Sequence, residues 1–167
     1  MVDQQETRED LGHQYGRSDF ENRTKFHSDG WLVSSFVDNI SYDSPTGRNF
    51  VLLGRQKDSN VVMNCYEPGA HDYMHAHPGS EHTFLVWKGK LHLTGVEDGE
   101  DLTLGPGEFV QIQAGYYYRL HNPGPEPAVY CQFQTISAKP PKRGTVLFSE
   151  SRRGKAAAQK LEGGASA

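Results

Sequence analysis

Short runs of apolar and β-branched residues, separated by turn residues, dominate the middle of the chain. Each run has the length of a strand, and none continues into the long 3.6-residue period of an amphipathic helix. The intervening turns, such as SPTGRN, EDGED and NPGPEP, are rich in glycine, proline and acidic residues. The runs are WLVSSFV (31–37), NFVLLG (49–54), NVVMNCY (60–66), TFLVWK (83–88), KLHLTGV (90–96), EFVQIQ (108–113) and AVYCQFQTI (128–136). Short strands at this spacing predict an all-β sandwich or barrel.

The two ends of the chain differ from this centre. Residues 1–29 contain almost no aliphatic side chains, and residues 139–167 begin with a proline pair and finish in Lys, Ala and Gly. Such segments are typical of polar arms and flexible tails. A chain of 167 residues with 35% hydrophobic content supports one core. We therefore predict a single domain over 30–138, an N-terminal arm over 1–29 and a flexible C-terminal tail over 139–167.

The net charge of the chain indicates which classes of binding partner to expect. Seventeen Lys and Arg against 21 Asp and Glu give a formal charge of -4, which does not favour nucleic acid or an anionic membrane. No apolar run reaches the roughly 20 residues of a membrane span, and MVDQQETRED lacks the features of a signal peptide. We expect a cytoplasmic protein with a small-molecule substrate. Cys65 and Cys131 are too few for a zinc ribbon and are interpreted as buried apolar residues.

The stretch HAHPGSEHTFLVWKGK (75–90) concentrates histidine. His75 and His77 are two residues apart and therefore share one face of a strand, on which Tyr73 also lies. The turn PGSE reverses the chain, and His82 opens the next strand, where Phe84 shares its face. Exposed loop histidines are the simpler alternative, but three converging imidazoles favour a metal site.

The spacing of these residues resembles the first motif of the cupin family. The motif positions are Gly69, His75, His77, position 82 and Gly89. HPGSEHTFLVWKG is similar to the germin-type version of this motif. The resemblance covers roughly residues 60–136 and implies a double-stranded β-helix, a jelly-roll barrel, with a metal ion inside.

A second cupin motif is recognisable in altered form. Its positions are Gly107, Gln113, Ala114, Gly115, Tyr118 and Asn122. Gln113 stands where the family has proline, and Tyr118 stands where it has the last metal-binding histidine. The resemblance therefore implies a metal held by three histidines, with Tyr118 beside it as a weak ligand, a hydrogen-bond donor or a catalytic acid or base.

The first motif also departs from the family, because His82 occupies the position that normally holds glutamate. If the strand register follows the distance to Gly89, His82 faces the lumen and Glu81 lies at the rim or points away. A slip of one residue would make Glu81 the ligand instead. Glu81 is otherwise a candidate to orient one of the imidazoles through a hydrogen bond.

Strand alternation separates the residues after the second motif. Tyr118, Leu120 and Asn122 share one face, whereas Arg119 and His121 share the other. His121 should therefore miss the metal, unless a bulge re-aims it as an alternative ligand or as a partner of one.

The predicted site favours an anionic, chelating substrate, because three neutral imidazoles leave the full +2 charge on the metal. Imidazole suits Fe(II), which we favour, as well as Zn, Ni and Cu, and Mn is a further candidate ion. With iron we expect a dioxygenase acting on an enolisable ketone, a hydroxyketone or an aromatic compound. Tyr73, Phe84 and Tyr118 are the candidate substrate-binding residues. A non-redox lyase, isomerase or cyclase is the alternative.

Two further expectations concern activity and assembly. A cupin that only senses a small molecule remains an alternative to an enzyme, although no DNA-binding domain is evident in the chain. WLVSSFVDNISY (31–42) has strand character and precedes the motif-bearing centre. Because an N-terminal strand can pair with the sheet of a partner, we expect a homodimer.

Overall fold

The structure, a computed structural model, describes residues 25–28, 31–33, 46–139 and 141–156. Within these ranges the chain forms mainly β-strands joined by short turns, with one 3-10 turn at Phe148–Glu150 and helical residues at 152–156. The strands are β1 (Lys25–Ser28), β2 (Trp31–Val33), β3 (Arg48–Arg55), β4 (Ser59–Tyr66), β5 (His75–Ala76), β6 (His82–Lys88), β7 (Leu91–Thr94), β8 (Asp101–Leu104), β9 (Phe109–Ile112), β10 (Arg119–His121), β11 (Ala128–Thr135) and β12 (Val146–Leu147). The all-β prediction is confirmed.

The larger sheet contains five antiparallel strands in the order β3-β4-β11-β6-β9. Its strands alternate in burial, as β6 shows: His82, Phe84 and Val86 are buried, whereas Thr83 and Leu85 are only partly covered. One face of this sheet therefore lines the interior of the molecule. The turn after β6 depends on Gly89, since its φ is +71° and a Cβ atom there would lie 2.4 Å from the carbonyl oxygen of Pro127.

The opposing sheet has the order β10-β7-β8. Backbone hydrogen bonds between His75 and Tyr118, with N···O distances of 3.0 and 2.9 Å, attach β5 to the strand segment that enters β10. The core lies between the two sheets. Its buried members are Tyr66, Ala70, Phe84, Val86, Leu91, Leu93, Leu104, Tyr118, Leu120, Ala128 and Tyr130. The result is a jelly-roll arrangement, and no helix among the described residues is long and apolar enough to cross a membrane.

The segment 141–147 differs from the flexible tail that the sequence analysis expected over 139–167. Its strand β12 pairs with β5, with Val146 opposite Ala76 and Leu147 opposite His75. We call residues 141–147 the strap, because they cross the open end of the two sheets. Its apolar residues were too few to give a strand pattern by themselves.

Parts of two predictions lie outside the described residues. Of the predicted arm, 1–29, only residues 25–28 are described, and they form β1. Of the segment on which the homodimer expectation rests, 31–42, only 31–33 are described, and they form β2. The arm and the homodimer therefore stay predictions.

Candidate metal centre

Three imidazoles lie next to one another at the end of the lumen that the strap crosses. His75 belongs to β5, His77 follows that strand, and His82 is the first residue of β6. The ring centroids of His75 and His77 are 4.9 Å apart, and those of His77 and His82 are 4.3 Å apart. We call these residues the luminal cluster. The structure thus brings together the three predicted metal ligands.

Backbone carbonyls orient two of the three rings. Nδ1 of His75 lies 2.6 Å from the carbonyl oxygen of Tyr73, and Nδ1 of His77 lies 3.2 Å from that of Gly144 in the strap. A carbonyl oxygen only accepts, so each Nδ1 donates its proton and each Nε2 retains its lone pair. This is the tautomer in which histidine binds a metal through Nε2.

His82 has a different partner. Its Nδ1 lies 2.8 Å from the hydroxyl oxygen of Tyr118, and Tyr118 itself is buried. His82 is only 2% exposed, and its Nε2 is buried with no hydrogen-bond partner among the described residues. Glu81, in contrast, is exposed, which is the orientation that the spacing to Gly89 predicts. A buried nitrogen without a partner requires a ligand, and a metal ion would be one.

Burial keeps these imidazoles neutral. Desolvation, together with the neighbouring imidazoles of His82 and His75, lowers the pKa of His77 to about 2. Desolvation and the proximity of His75 lower the pKa of His82 to about 4. Neutral imidazole is the form that binds metals, so this environment suits ligands better than charged groups.

The three imidazoles are neighbours, but their nitrogens do not surround a common point. No three His, Cys, Asp or Glu side chains of the described residues are already arranged around a common point at metal-ligand distances. The donor types, the two Nδ1 donations to carbonyls and the unpartnered Nε2 of His82 nevertheless fit a divalent metal ion. The residues present therefore fit the group that the sequence analysis predicted.

Asp72 is a residue of this site that the sequence analysis missed. Its Oδ2 lies 3.9 Å from Nδ1 of His75 and 3.4 Å from the hydroxyl of Tyr66. Its Oδ1 accepts a hydrogen bond of 2.5 Å from the backbone N–H of Leu120. Burial raises the pKa of the Asp72 carboxyl, against the lowering effect of His75. A carboxylate behind an imidazole raises the basicity of that ligand, so Asp72 is a candidate positioning residue.

A chain of amide side chains, also missed, runs across the lumen face of the larger sheet. Nδ2 of Asn64 donates to Oε1 of Gln132 at 3.3 Å, and Nε2 of Gln132 donates to Oε1 of Gln134 at 2.7 Å. The same Nε2 lies 3.4 Å from Nδ1 of His82. Along β11 the glutamines face the lumen, and Cys131 and Phe133, which alternate with them, lie on the other face.

Two cavities meet at His77. The inner cavity, of about 90 Å³, lies between the sheets and is bounded by Tyr73, His75, His77, Phe84 and Tyr118, among others. It includes the three predicted substrate-binding residues. The outer cavity, of about 390 Å³, lies between the strap and the larger sheet, where it is bounded by both His77 and His82. A ligand of the centre can therefore extend in either direction.

His121 does not join this centre. It lies with His71 and His92 on the solvent side of the opposing sheet, with ring centroids 6.5 and 6.2 Å from theirs. We call these three residues the outer cluster. Leu120 points the other way, into the core. No bulge re-aims His121, so it does not reach the luminal cluster. The exposed Glu81 does not reach it either.

Residues 62–133 match the model of the cupin domain family. Residues 62–133 therefore form a cupin domain. The match begins in β4 and ends in β11, so it includes the luminal cluster and Tyr118. It confirms the family resemblance and, with the two-sheet arrangement, the predicted double-stranded β-helix. No curated protein sequence shows significant similarity to this chain.

Solved structures show the same cupin fold at low sequence identity. A double-stranded β-helix protein of Klebsiella pneumoniae subsp. pneumoniae MGH 78578 has a TM-score of 0.60 and 21% identity, covering 74% of this chain and 95% of that one. The protein TT1209 from Thermus thermophilus has a TM-score of 0.56 and 18% identity, over 63% and 97%. An oxalate oxidase with bound glycolate has a TM-score of 0.55 and 20% identity, over 74% and 68%. These likenesses establish the fold alone.

Cupin domains serve several classes of enzyme and often bind a divalent metal. The oxalate oxidase is one enzyme among the similar structures. In this chain, Tyr118 occupies the second-motif position at which the family pattern has its last histidine. Its hydroxyl contacts His82.

Proposed function

We propose that this cupin is a metal-dependent enzyme, namely a non-haem iron dioxygenase acting on a small chelating substrate. The substrate would be an enolisable ketone, a hydroxyketone or an aromatic compound with adjacent oxygens. The buried Nε2 of His82 is the main support for this proposal. It lies beside two imidazoles whose Nδ1 atoms are already committed to carbonyl oxygens.

His75, His77 and His82 would hold the metal through Nε2, with Fe(II) as the favoured ion and Zn, Mn, Ni or Cu as the alternatives. Bound iron would supply the redox chemistry that O2 requires. Three neutral ligands do not offset the charge of a divalent ion, so the site favours an anionic pair of oxygens from the substrate. Three protein ligands also leave coordination positions for it.

Tyr118 is the proposed catalytic acid or base. Its hydroxyl is 2.8 Å from Nδ1 of His82, and the side chain is 5% exposed, so bulk water does not compete for its proton. Phe84 and Tyr73 are part of the wall of the same inner cavity. In our proposal the walls position the substrate, and the Tyr118 oxygen transfers a proton to or from it.

The proposal is tested by loading the protein with Fe(II) without oxygen and adding β-diketones, α-hydroxyketones and catechols in turn. A new absorption band with at least one compound is expected, followed by O2 consumption and cleavage or oxygenation when air is admitted. Turnover by the zinc form without O2, with an inert iron form, would replace this proposal by a lyase, isomerase or cyclase. Tight binding without any transformation would indicate a sensor.

We also propose a homodimer in solution. Trp87 and Phe109, which are 64% and 63% exposed, lie on the face of the larger sheet that points away from the lumen, and Phe133, 44% exposed, shares that face. Large exposed aromatic side chains on one sheet face favour association. Light scattering of the full chain should give twice the mass of one chain, and a monomer mass would refute this expectation.

A further inference from the structure

The outer cavity contains polar groups that the proposed metal chemistry does not use. Its volume of about 390 Å³ lies within the range of small-molecule sites, whereas the inner cavity of about 90 Å³ is far smaller. The wall that continues from His82 across the sheet contains Gln134, Asn60 and Arg55. This wall is therefore the natural place for the end of a substrate that does not touch the metal.

The strand register places these side chains in one row. Arg55 lies opposite Asn60, Asn60 opposite Gln134, and Gln134 opposite His82. Directly opposed residues of antiparallel strands point to the same face. With strands about 4.8 Å apart, three steps separate Arg55 from His82 by about 14 Å between their Cα atoms. The row therefore leads from the luminal cluster to the cationic side chain of Arg55.

Asn60 has an unused acceptor in the middle of this row. The residue is 8% exposed, and its Oδ1 is buried without a hydrogen-bond partner among the described residues. Gln134 uses its Oε1 as the acceptor for Gln132, which leaves its Nε2 hydrogens available on the same row. A buried amide oxygen of this kind needs a donor, and a hydroxyl of a ligand would supply one.

Arg55 ends the row with a charge. Its side chain is exposed at the mouth of the outer cavity, and no acidic side chain of the described residues pairs with it. A guanidinium group presents a planar fork of donors that matches a carboxylate in geometry and charge. An anionic ligand group is therefore preferred at this end of the cavity, and a carboxylate fits this fork of donors.

We infer that the substrate is a small carboxylate whose chelating oxygens lie at the luminal cluster and whose carboxylate lies at Arg55, with Asn60 accepting a hydrogen bond between them. This inference rests on the proposed metal function, and it adds the substrate class and a specificity-determining residue.

The test compares a carboxylate probe with its neutral methyl ester. Cobalt(II)-loaded protein is titrated with 3,4-dihydroxybenzoate and with its neutral methyl ester, and the visible bands of cobalt report binding of the diol. Arg55→Met removes the cation from the cavity. Lys57→Met removes a cation from the same hairpin, two residues away and outside the cavity wall, and serves as the matched control.

The native protein should bind the carboxylate about tenfold more tightly than the ester, as expected for one charge-assisted contact. Arg55→Met should remove this preference without changing cobalt affinity, and Lys57→Met should keep it. Normal cobalt binding with equal affinity for both probes, or a preference that survives in Arg55→Met, would overturn the inference and leave the metal centre intact. Failure of the native protein to bind cobalt would overturn both.

Discussion

The luminal and outer clusters each contain three histidines, yet their surroundings differ. In the luminal cluster, His75 and His77 use one nitrogen on a carbonyl oxygen, and His82 retains a buried nitrogen that has no partner in the part of the chain that the structure describes. In the outer cluster, both nitrogens of His92 are occupied, since Nδ1 lies 2.8 Å from Thr103 Oγ1 and Nε2 lies 2.9 Å from Asp101 Oδ1. The buried, unpartnered Nε2 of His82, rather than closeness of rings, distinguishes the luminal cluster.

Burial widens this difference. His82 is 2% exposed, whereas the side chain of His92 is 25% exposed. Burial and nearby positive groups, Arg119 among them, also lower the pKa of His121, so a lowered histidine pKa by itself does not identify a ligand. The luminal cluster is distinguished by the combination of neutral imidazoles, carbonyl-oriented rings and an adjoining cavity.

The largest expected effect is loss of metal on changing the luminal cluster. His82→Ala should weaken metal binding by more than about 100-fold, because loss of a ligand exceeds the roughly 10- to 100-fold effect of changing its hydrogen-bond partner. Elemental analysis and competition with a chelator measure this affinity. His121→Ala is the control from the outer cluster and should bind metal normally. A greater loss in His121→Ala would reverse our assignment of the two clusters.

The next effect concerns catalysis and should separate turnover from binding. Tyr118→Phe removes the hydroxyl beside His82 and should reduce turnover about 100-fold, in the usual range for a lost acid or base. Its metal content should remain close to that of the native protein. Tyr117→Phe removes the hydroxyl from a ring that packs on Phe148, outside the luminal cluster, and should retain full turnover. Full activity of Tyr118→Phe would limit its role to packing.

A smaller effect is expected from the carboxylates behind the histidines. Asp72→Asn removes a charge 3.9 Å from Nδ1 of His75 and should lower metal affinity about tenfold. The matched change is Asp101→Asn, beside His92, and it should leave metal affinity unaltered. Titration with a metal-sensitive dye would measure both variants. Equal affinities in the two would exclude Asp72 as a positioning residue.

The smallest effect should come from Glu81→Ala. Glu81 is exposed, whereas its neighbour His82 is buried, so the variant should bind metal within about twofold of the native protein. The same chelator competition applies. A large loss of metal here, together with retention in His82→Ala, would mean that the strand is used in the other register.

Local patterns were sufficient to predict the two-sheet fold and the orientation of the first-motif histidines. The alternation of β6 and the spacing to Gly89 put His82 inside and Glu81 outside, as observed. The same alternation correctly put Tyr118 and Leu120 on the core side of the chain. These features depend on neighbours two to seven residues apart, and such periodicity is visible in a sequence.

The contacts that complete the site depend on residues far apart in the chain. Gly144 reaches Nδ1 of His77 across 67 positions, and Asn64 reaches Gln132 across 68. Neither contact leaves a local signal, since a glycine in a polar tail and an amide in a strand are compatible with many structures. Asp72 lies closer, three residues before His75, but a single aspartate in a loop does not show which imidazole it faces.

The strap covers the luminal cluster with a segment that is less stable than the sheet beneath it. Two residue pairs join β12 to β5, whereas eight join β11 to β4. A segment held by so few pairs opens at a lower free energy than the sheet beneath it, without unfolding of the whole domain. Amide hydrogen exchange should therefore be faster at Val146 and Leu147 than along β11. Since Gly144 orients His77, each such opening would also release that ring, and exchange of bound metal would follow the fluctuations of the strap instead of the global stability of the barrel.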